Sequence, residues 1–298
     1  MTKKKPLFYY KFVSFDRKDI LENGLIRFTS AKDFNDPFEL QLTITPYSLK
    51  FIEYINDLSD DEIKNINFND NDYLYSQERF DLLSKKRNLL NKKINQIGIL
   101  SLSSNSNINQ FLTVTIPEKD DPRTNLIMWS HYADSHKGFV IEFKENFIEG
   151  IDIQKVEYND ERDIITYEEI DNNNFKKLFF KKSTEWAYEQ EYRALLNLNE
   201  ADKITKDKET DDIHLFKFKK SKINSITFGC NMSKKHKKEI MDLIKKDNDY
   251  QGVRFNHSYL NDEGFYLNFY DDNGRWTNRP EHNGQLLTMH TIPTQKKL

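Results

Sequence analysis

The chain has 298 residues, 31% of them charged and 13% aromatic, with 15 Tyr and 22 Phe against 9 Gly and 7 Pro. That aromatic load suits a substantial core and argues against an unstructured chain, and a formal charge of -3 excludes a global field for nucleic acid or membrane. The single cysteine, Cys230, excludes an intrachain disulfide framework and a Cys-based zinc site, and fits a reducing compartment.

The opening apolar run stops at Lys11, too short for a secretory leader, and no run approaches the roughly 20 apolar residues of a membrane helix. A soluble, cytoplasmic protein is expected. Residues 8–12 read as a strand. Residues 16–23 read as a short helix with Ile20 and Leu21 on its buried side and Gly24 as its stop, and 25–29 as a second strand. Residues 48–96 carry helically spaced apolar positions, Phe51, Ile52, Ile55 and Leu58, then Phe80, Leu83, Leu90 and Ile94. They read as a helical insertion into one α+β domain spanning 1–270. Strands are expected at 97–103, 138–143, 188–198, 214–218 and 225–228, with helices at 125–133, 175–187 and 233–246. A hairpin should occupy 251–270 around Asp262, Glu263 and Gly264, followed by an irregular tail over 271–298 with Pro280, Gly284 and Pro293.

Three polar–aromatic segments are candidates for chemistry. In 35–39, Asn35, Asp36 and Pro37 make strong turn chemistry, because Asx side chains bond their own backbone and Pro excludes helix before it. A turn alone does not explain why Glu39 and Ser30 lie so close by. In 128–132, on a helix, Trp129 and Tyr132 share a face, and His131 is either an ordinary surface histidine or a general acid–base group. In 188–193, read as a strand, Glu189, Glu191 and Arg193 share one face. Either they form solvated ion pairs worth under ~1 kcal/mol, or they form a partly buried cluster with a purpose.

Metal and nucleic-acid signals are weaker. No two His have the i, i+4 spacing of a zinc helix. Glu142 and Lys144 have a carboxylate–x–lysine spacing found in metal-dependent nucleases, for which only Asp134 or Asp36 could be the partner. The lysines of 217–222 and 234–238 read as solvated faces, interspersed with acids and without regular aromatics.

Tyr10, Lys11, 25–30, 35–39, 128–143, 186–193 and 226–229 together resemble a bacterial family catalogued as domain of unknown function 2971. The resemblance implies bacterial origin, with phage defence as one context for its members, and brings no settled activity. A looser resemblance is to the ADP-ribosyltransferase superfamily. Its first strand leads through a short helix ending I-L-x-x-G into a second strand, as 19–28 do here. Its late strand carries a Glu-x-Glu pair, matched by Glu189, Gln190 and Glu191. The first-strand Arg or His of those enzymes is Tyr10 or Lys11 here, and the Ser-Thr-Ser element has partial echoes in Thr29–Ser30 or Ser101–Ser104.

That likeness implies a split sheet and an NAD substrate, with no metal. Glu191 would be the catalytic carboxylate and Glu189 its partner, with His131 nearby for acid–base work. Tyr10, Lys11, Ser30, Asn35, Asp36, Trp129, Tyr132 and Arg193 would line the dinucleotide site. The expected function is NAD cleavage or ADP-ribose transfer to a nucleic-acid or protein target, with a phage component as a possible trigger. The alternatives are a metal-dependent nuclease built on Glu142, and a non-enzymatic ligand or phage-protein sensor.

Overall fold

Strand β1 (Phe8–Val13) turns Tyr9 and Val13 to one side and Tyr10 and Phe12 to the other, and all four are buried. A sheet buried on both faces therefore follows from the first described residues. The computed structural model describes residues 8–34, 36–41, 43–45, 57, 59, 77–104, 121–206, 212–277, 281–282 and 285–286. The fold is α+β, as the mixture of periodicities implied, with helices packed on a large mixed sheet.

After β1, helix α1 (Asp19–Asn23) stops at Gly24, whose φ of 64° is the left-handed value that favours glycine. Strand β2 (Leu25–Ser30) follows, then a short β3 (Thr43–Thr45). Of the expected helical insertion, helix α2 (Gln77–Ile94) is described, and most of 48–76 lies outside the described residues. Strand β4 (Ile97–Ser104), helix α3 (Leu126–Tyr132) and strand β5 (Phe139–Lys144) come next. The intervening stretch before β10 holds β6 (Ile153–Lys155), β7 (Glu157–Tyr158), β8 (Ile164–Thr166), helix α4 (Tyr167–Asp171) and β9 (Lys181–Lys182). The chain continues through β10 (Glu191–Asn197), β11 (Lys203–Lys206), β12 (Asp212–Lys217) and β13 (Ile223–Phe228). Helix α5 (Lys234–Lys246) crosses from β13 to the parallel β14 (Arg254–Leu260), which pairs with β15 (Leu267–Asp271) as a hairpin.

Two expectations are corrected. Residues 175–187 are not one helix: 3-10 turns at Lys176–Phe180 and Thr184–Glu189 flank β9, which pairs in parallel with β7. The break has a cause in Asp160, whose carboxylate accepts from the Thr184 amide at 2.9 Å and from the Ser183 and Thr184 hydroxyls. Strand β10 begins at Glu191, not at 188, because Gln190 takes a left-handed conformation (φ 47°, ψ 49°). The expected irregular tail also starts in order, since 271–277 folds back on β15 through Thr277 N–H to the Phe269 carbonyl at 2.8 Å.

The sheet forks at β4. One edge of β4 pairs with β10 along its whole length, from Glu191 opposite Ser103 to Asn197 opposite Ile97. The other edge is shared. Strand β2 takes its first part (Thr29 opposite Ile99, Ser30 opposite Gly98) and β1 its last (Tyr9 opposite Ser104, Tyr10 opposite Ser103). Beyond β2 lie β12 and β11; beyond β1 lie β5, β13, β14 and β15. Residues 100–102 face the opening between the two wings.

The principal core fills one face, where Ile20 and Leu21 of α1 and Ile240 and Ile244 of α5 meet Phe28, Leu100, Ile141 and Ile226. Two smaller clusters occupy the opposite face. One joins Met128 and Trp129 of α3 to Tyr10, Phe12 and Phe269; the other joins Leu90 and Ile94 of α2 to Ile99, Ile165, Ile170 and Phe179. Gly98 sits where β2 and β10 crowd β4, and a Cβ there would meet Leu198 Cδ2 at 2.5 Å and Phe28 Cβ at 2.8 Å. Gly98→Ala should therefore destabilise the fold by about 1–3 kcal/mol, read as a lowered denaturant midpoint. An unchanged midpoint would contradict this packing of the junction.

Candidate functional site

A cavity of about 340 Å³ opens at the fork, within the usual range for small-molecule sites. Members of both smaller clusters line it, Tyr10, Phe12 and Met128 from one and Phe34 packed on the other. Its acidic wall is Glu39, Glu189 and Glu191, and its lining also carries Lys11, Arg27 and Thr29 together with Asp33 and Asp36.

The acidic wall is organised by Arg193, which is 0% exposed. A buried guanidinium needs partners for its donors. Nε and Nη2 grip Glu191 at 2.7 and 2.9 Å, Nη1 donates to the Phe179 carbonyl at 2.8 Å, and Nη2 also donates to Glu39. The Phe34 ring lies 5.5 Å from the guanidinium carbon. Arg193 thus ties β10, the 176–180 turn and the loop after β2 to one point.

Lys182 of β9 supplies the second cation. Its ammonium is 2.6 Å from Glu189, 3.3 Å from Glu191 and 3.9 Å from Glu39, and 4.8 Å from the Trp186 ring centroid. Tyr132 donates to the other Glu189 oxygen at 2.5 Å. The Glu191 amide donates to the Tyr158 hydroxyl at 2.8 Å. Glu189 and Glu191 therefore do not alternate along one strand. The left-handed Gln190 between them brings both carboxylates onto the same ammonium.

These contacts set the charges. Burial works to raise the Glu191 carboxyl, but Arg193 and Lys182 outweigh it and hold the group down at about 2, so it is ionised across the physiological range. Glu39 is the opposite case, since its burial outweighs the same two cations and lifts its carboxyl above the ordinary value. Burial and the hydrogen bond to Glu189 raise the Tyr132 phenol, which stays protonated.

At the fork, Lys11 reaches across the opening left by β1 and donates to the Ser101 carbonyl at 2.9 Å. Burial pulls its ammonium down to about 8, against the pull of Glu191 and Glu189. Arg27 pairs with Asp33 at 3.0 Å through Nη2, while its Nε is buried with no hydrogen-bond partner among the described residues.

The three segments singled out in the sequence therefore meet, with Asp36 and Glu39, Met128 and Tyr132, and Trp186, Glu189 and Glu191 all on the cavity wall. Tyr10 and Lys11 line it too, and Arg193 lies behind Glu191. Other expected members lie elsewhere. Trp129 is core, edge-on to Phe12, with its indole N–H donating to the Arg123 carbonyl at 2.7 Å. His131 projects outward, its Nδ1 3.3 Å from the Tyr188 hydroxyl, because it follows Trp129 and Ser130 around α3, away from the cavity-facing Met128 and Tyr132. Ser30 is buried opposite Gly98 on β2 and is not among the lining residues. Asn35 lies outside the described residues. Glu142, proposed for nuclease chemistry, is buried and accepts from Tyr10 at 2.9 Å, Asn224 at 2.7 Å and Ser225, a saturated acceptor across β1, β5 and β13.

Lys182, Arg27, Trp186 and Tyr158 were not foreseen. Lys182 was hidden because 175–187 reads as helix, and Arg27 because a lone Arg on an alternating strand carries no motif.

Comparison with known proteins places the chain by its site-bearing segment. A family model described as "Protein of unknown function (DUF2971)" matches residues 128–194, which supports the resemblance read from the sequence over that segment; the stretches at 10–11, 25–30, 35–39 and 226–229 lie outside the match. The matched segment contains Tyr132, Lys182, Glu189, Glu191 and Arg193, two of the three glutamates of the acidic wall together with the two cations that hold them. No curated protein and no solved structure matches the chain. No helix among the described residues is long and apolar enough to cross a membrane.

Two outcomes follow from the site's electrostatics. Arg193→Leu leaves Glu191 and Glu39 buried without their principal cation and should cost about 3–5 kcal/mol of stability, measured by chemical unfolding; a change below 1 kcal/mol would refute the burial of this pair. Lys11 should lose its proton near pH 8. An NMR titration of its ε-CH2 signal, assigned by its loss in Lys11→Arg, tests this; an ordinary lysine midpoint above 10 would refute its desolvation.

Proposed function

We propose that the cavity binds a nicotinamide dinucleotide and promotes cleavage of its glycosidic bond, with release of nicotinamide and passage of ADP-ribose to water or to a macromolecule. The observation that carries this reading is Glu191. It heads β10 directly after the Gln190 bend, faces the cavity, and is held ionised in a largely buried setting.

The chemistry follows from charge. As the C–N bond breaks, its electron pair leaves with nicotinamide and positive charge grows on the ribose ring. A fixed carboxylate beside that carbon stabilises the transition state more than the ground state. Water or a target nucleophile then adds at the same carbon and gives up a proton. Glu189, oriented by Tyr132 and Lys182, is the second carboxylate within reach of the ribose hydroxyls or of the incoming nucleophile. The aromatic faces of Trp186 and Phe34 suit a nicotinamide ring. Lys11 and Arg27, which also line the cavity, suit the diphosphate.

Lys182 bears on the ground state. Its ammonium contacts all three glutamates, where positive charge is favoured, and it must yield part of that position to a developing ribosyl cation. A bacterial effector in phage defence is the biological context we propose for such an activity. The same saturation of the carboxylates favours a second reading, in which the cavity senses a dinucleotide without turning it over.

Incubation with NAD and release of nicotinamide, followed by chromatography with and without cell extract as acceptor, tests the enzymatic reading. Glu191→Gln should lower the rate by about 100-fold or more, while binding of NAD, followed by calorimetry, survives. Turnover unaffected by that substitution would sink the reading. Binding without any turnover in the unaltered protein would support the sensor.

A further inference from the structure

Helix α5 places Lys234, Lys235, Lys237 and Lys238 in its first turn and a half, with no acidic residue in its first turn. Cations are disfavoured there, because the helix dipole is positive at its N-terminus and prefers anions. The arrangement concentrates positive potential with no benefit to the helix itself.

What lies beside it points to a ligand class. A groove of about 410 Å³ runs between α5 and β14, lined by Lys234, Lys237, Lys238 and Lys245 with His257 and Tyr259. Tyr259 is 41% exposed, and the Lys237 ammonium lies 5.9 Å from its ring centroid. The aromatic surface continues. Tyr259 meets Tyr270 with centroids 5.5 Å apart, and Tyr270 meets Trp276, 38% exposed, at 4.8 Å. The nearby acids are accounted for: Asp242 pairs with Lys238 at 2.5 Å, Asp272 with His257 at 2.8 Å, and Glu239 turns away to Lys18. Asp262 bears on Tyr270 at the far end of the aromatic row.

We propose that this groove binds single-stranded nucleic acid, with the α5 lysines on the phosphates and the exposed rings of Tyr259 and Trp276 receiving bases. Lysines along a backbone track combined with exposed aromatic rings are how proteins hold unpaired strands, since every base has a face to stack. A duplex keeps its bases inside and would use the lysines alone. In the sequence these lysines lacked aromatics; the fold supplies them from β14, β15 and the turn after it. The inference does not depend on the dinucleotide reading, because the groove shares no lining residue with the cavity at the fork.

Fluorescence anisotropy of the full chain with labelled 20-nucleotide dT and rU strands, and with duplex of the same length, tests it. Binding to single strands should weaken with salt at a log–log slope of about -2, the release expected for roughly three ionic contacts. Lys237→Glu with Lys245→Glu should weaken it at least tenfold. Tyr259→Ala should weaken single-strand binding roughly tenfold and duplex binding little, with Tyr259→Trp restoring it. Thermal melting confirms that each variant is folded. No binding at low salt, equal affinity for duplex and single strand, or indifference to Tyr259→Ala would overturn the proposal. So would displacement by a poly-glutamate peptide at lower concentration than by oligonucleotide, which would indicate an acidic protein partner instead.

Discussion

The burial of Arg193 is the constraint on which the site depends. A guanidinium cannot lose its proton to escape a low-dielectric setting, so its surroundings must supply charge and acceptors. Glu191, Glu39 and the Phe179 carbonyl do so, from three separate stretches of chain. Once they are drawn to Arg193, Glu191 is ionised, Glu39 reaches the cavity wall, and the 176–180 turn closes over the sheet. Lys182 then finds three carboxylates within 3.9 Å. The acidic wall thus follows from satisfying one buried cation.

The second organising feature is the fork at β4. A continuous sheet would satisfy its backbone groups and leave no room for a ligand. Because β1 and β2 share one edge of β4, the middle of that edge opens, and Lys11 caps the Ser101 carbonyl there. Glu191 stands on the strand along the intact edge, while Lys11 and Arg27 come from the two strands of the forked one. Both signs of charge thus meet in one opening, with Glu191 and Glu189 close enough to Lys11 to act on its ammonium.

Much of this was legible in the residues. Gly24 as a helix stop, the strand–helix–strand opening, the β14–β15 hairpin and the strand containing Glu191 and Arg193 all follow from local pattern, and the local pattern agrees with the fold at these points. The local reading failed where tertiary contacts decide. Asp160 breaks 175–187 into turns from more than twenty residues away, and Gln190 adopts a left-handed bend that no glycine announces. Trp129 and Met128 are neighbours on one short helix, yet one is core and the other lines the cavity. Arg27 became visible only from its place in the cavity lining. The α5 lysines looked like ordinary solvated residues, since the aromatic rings beside them come from later strands.

The fork also governs when the site can exist. Its walls are joined by pairings between distant parts of the chain: Tyr10 with Glu142, Glu191 with Ser103, and Phe28 of β2 with His214 of β12. Such long-range contacts form late and slowly. A chain emerging from the ribosome has its first strand long before it has the partners that hold the second. The β2 wing is complete only after β12 has been made. A nascent chain that has not yet reached β12 therefore lacks the pairing that holds the β2 wall of the cavity in place.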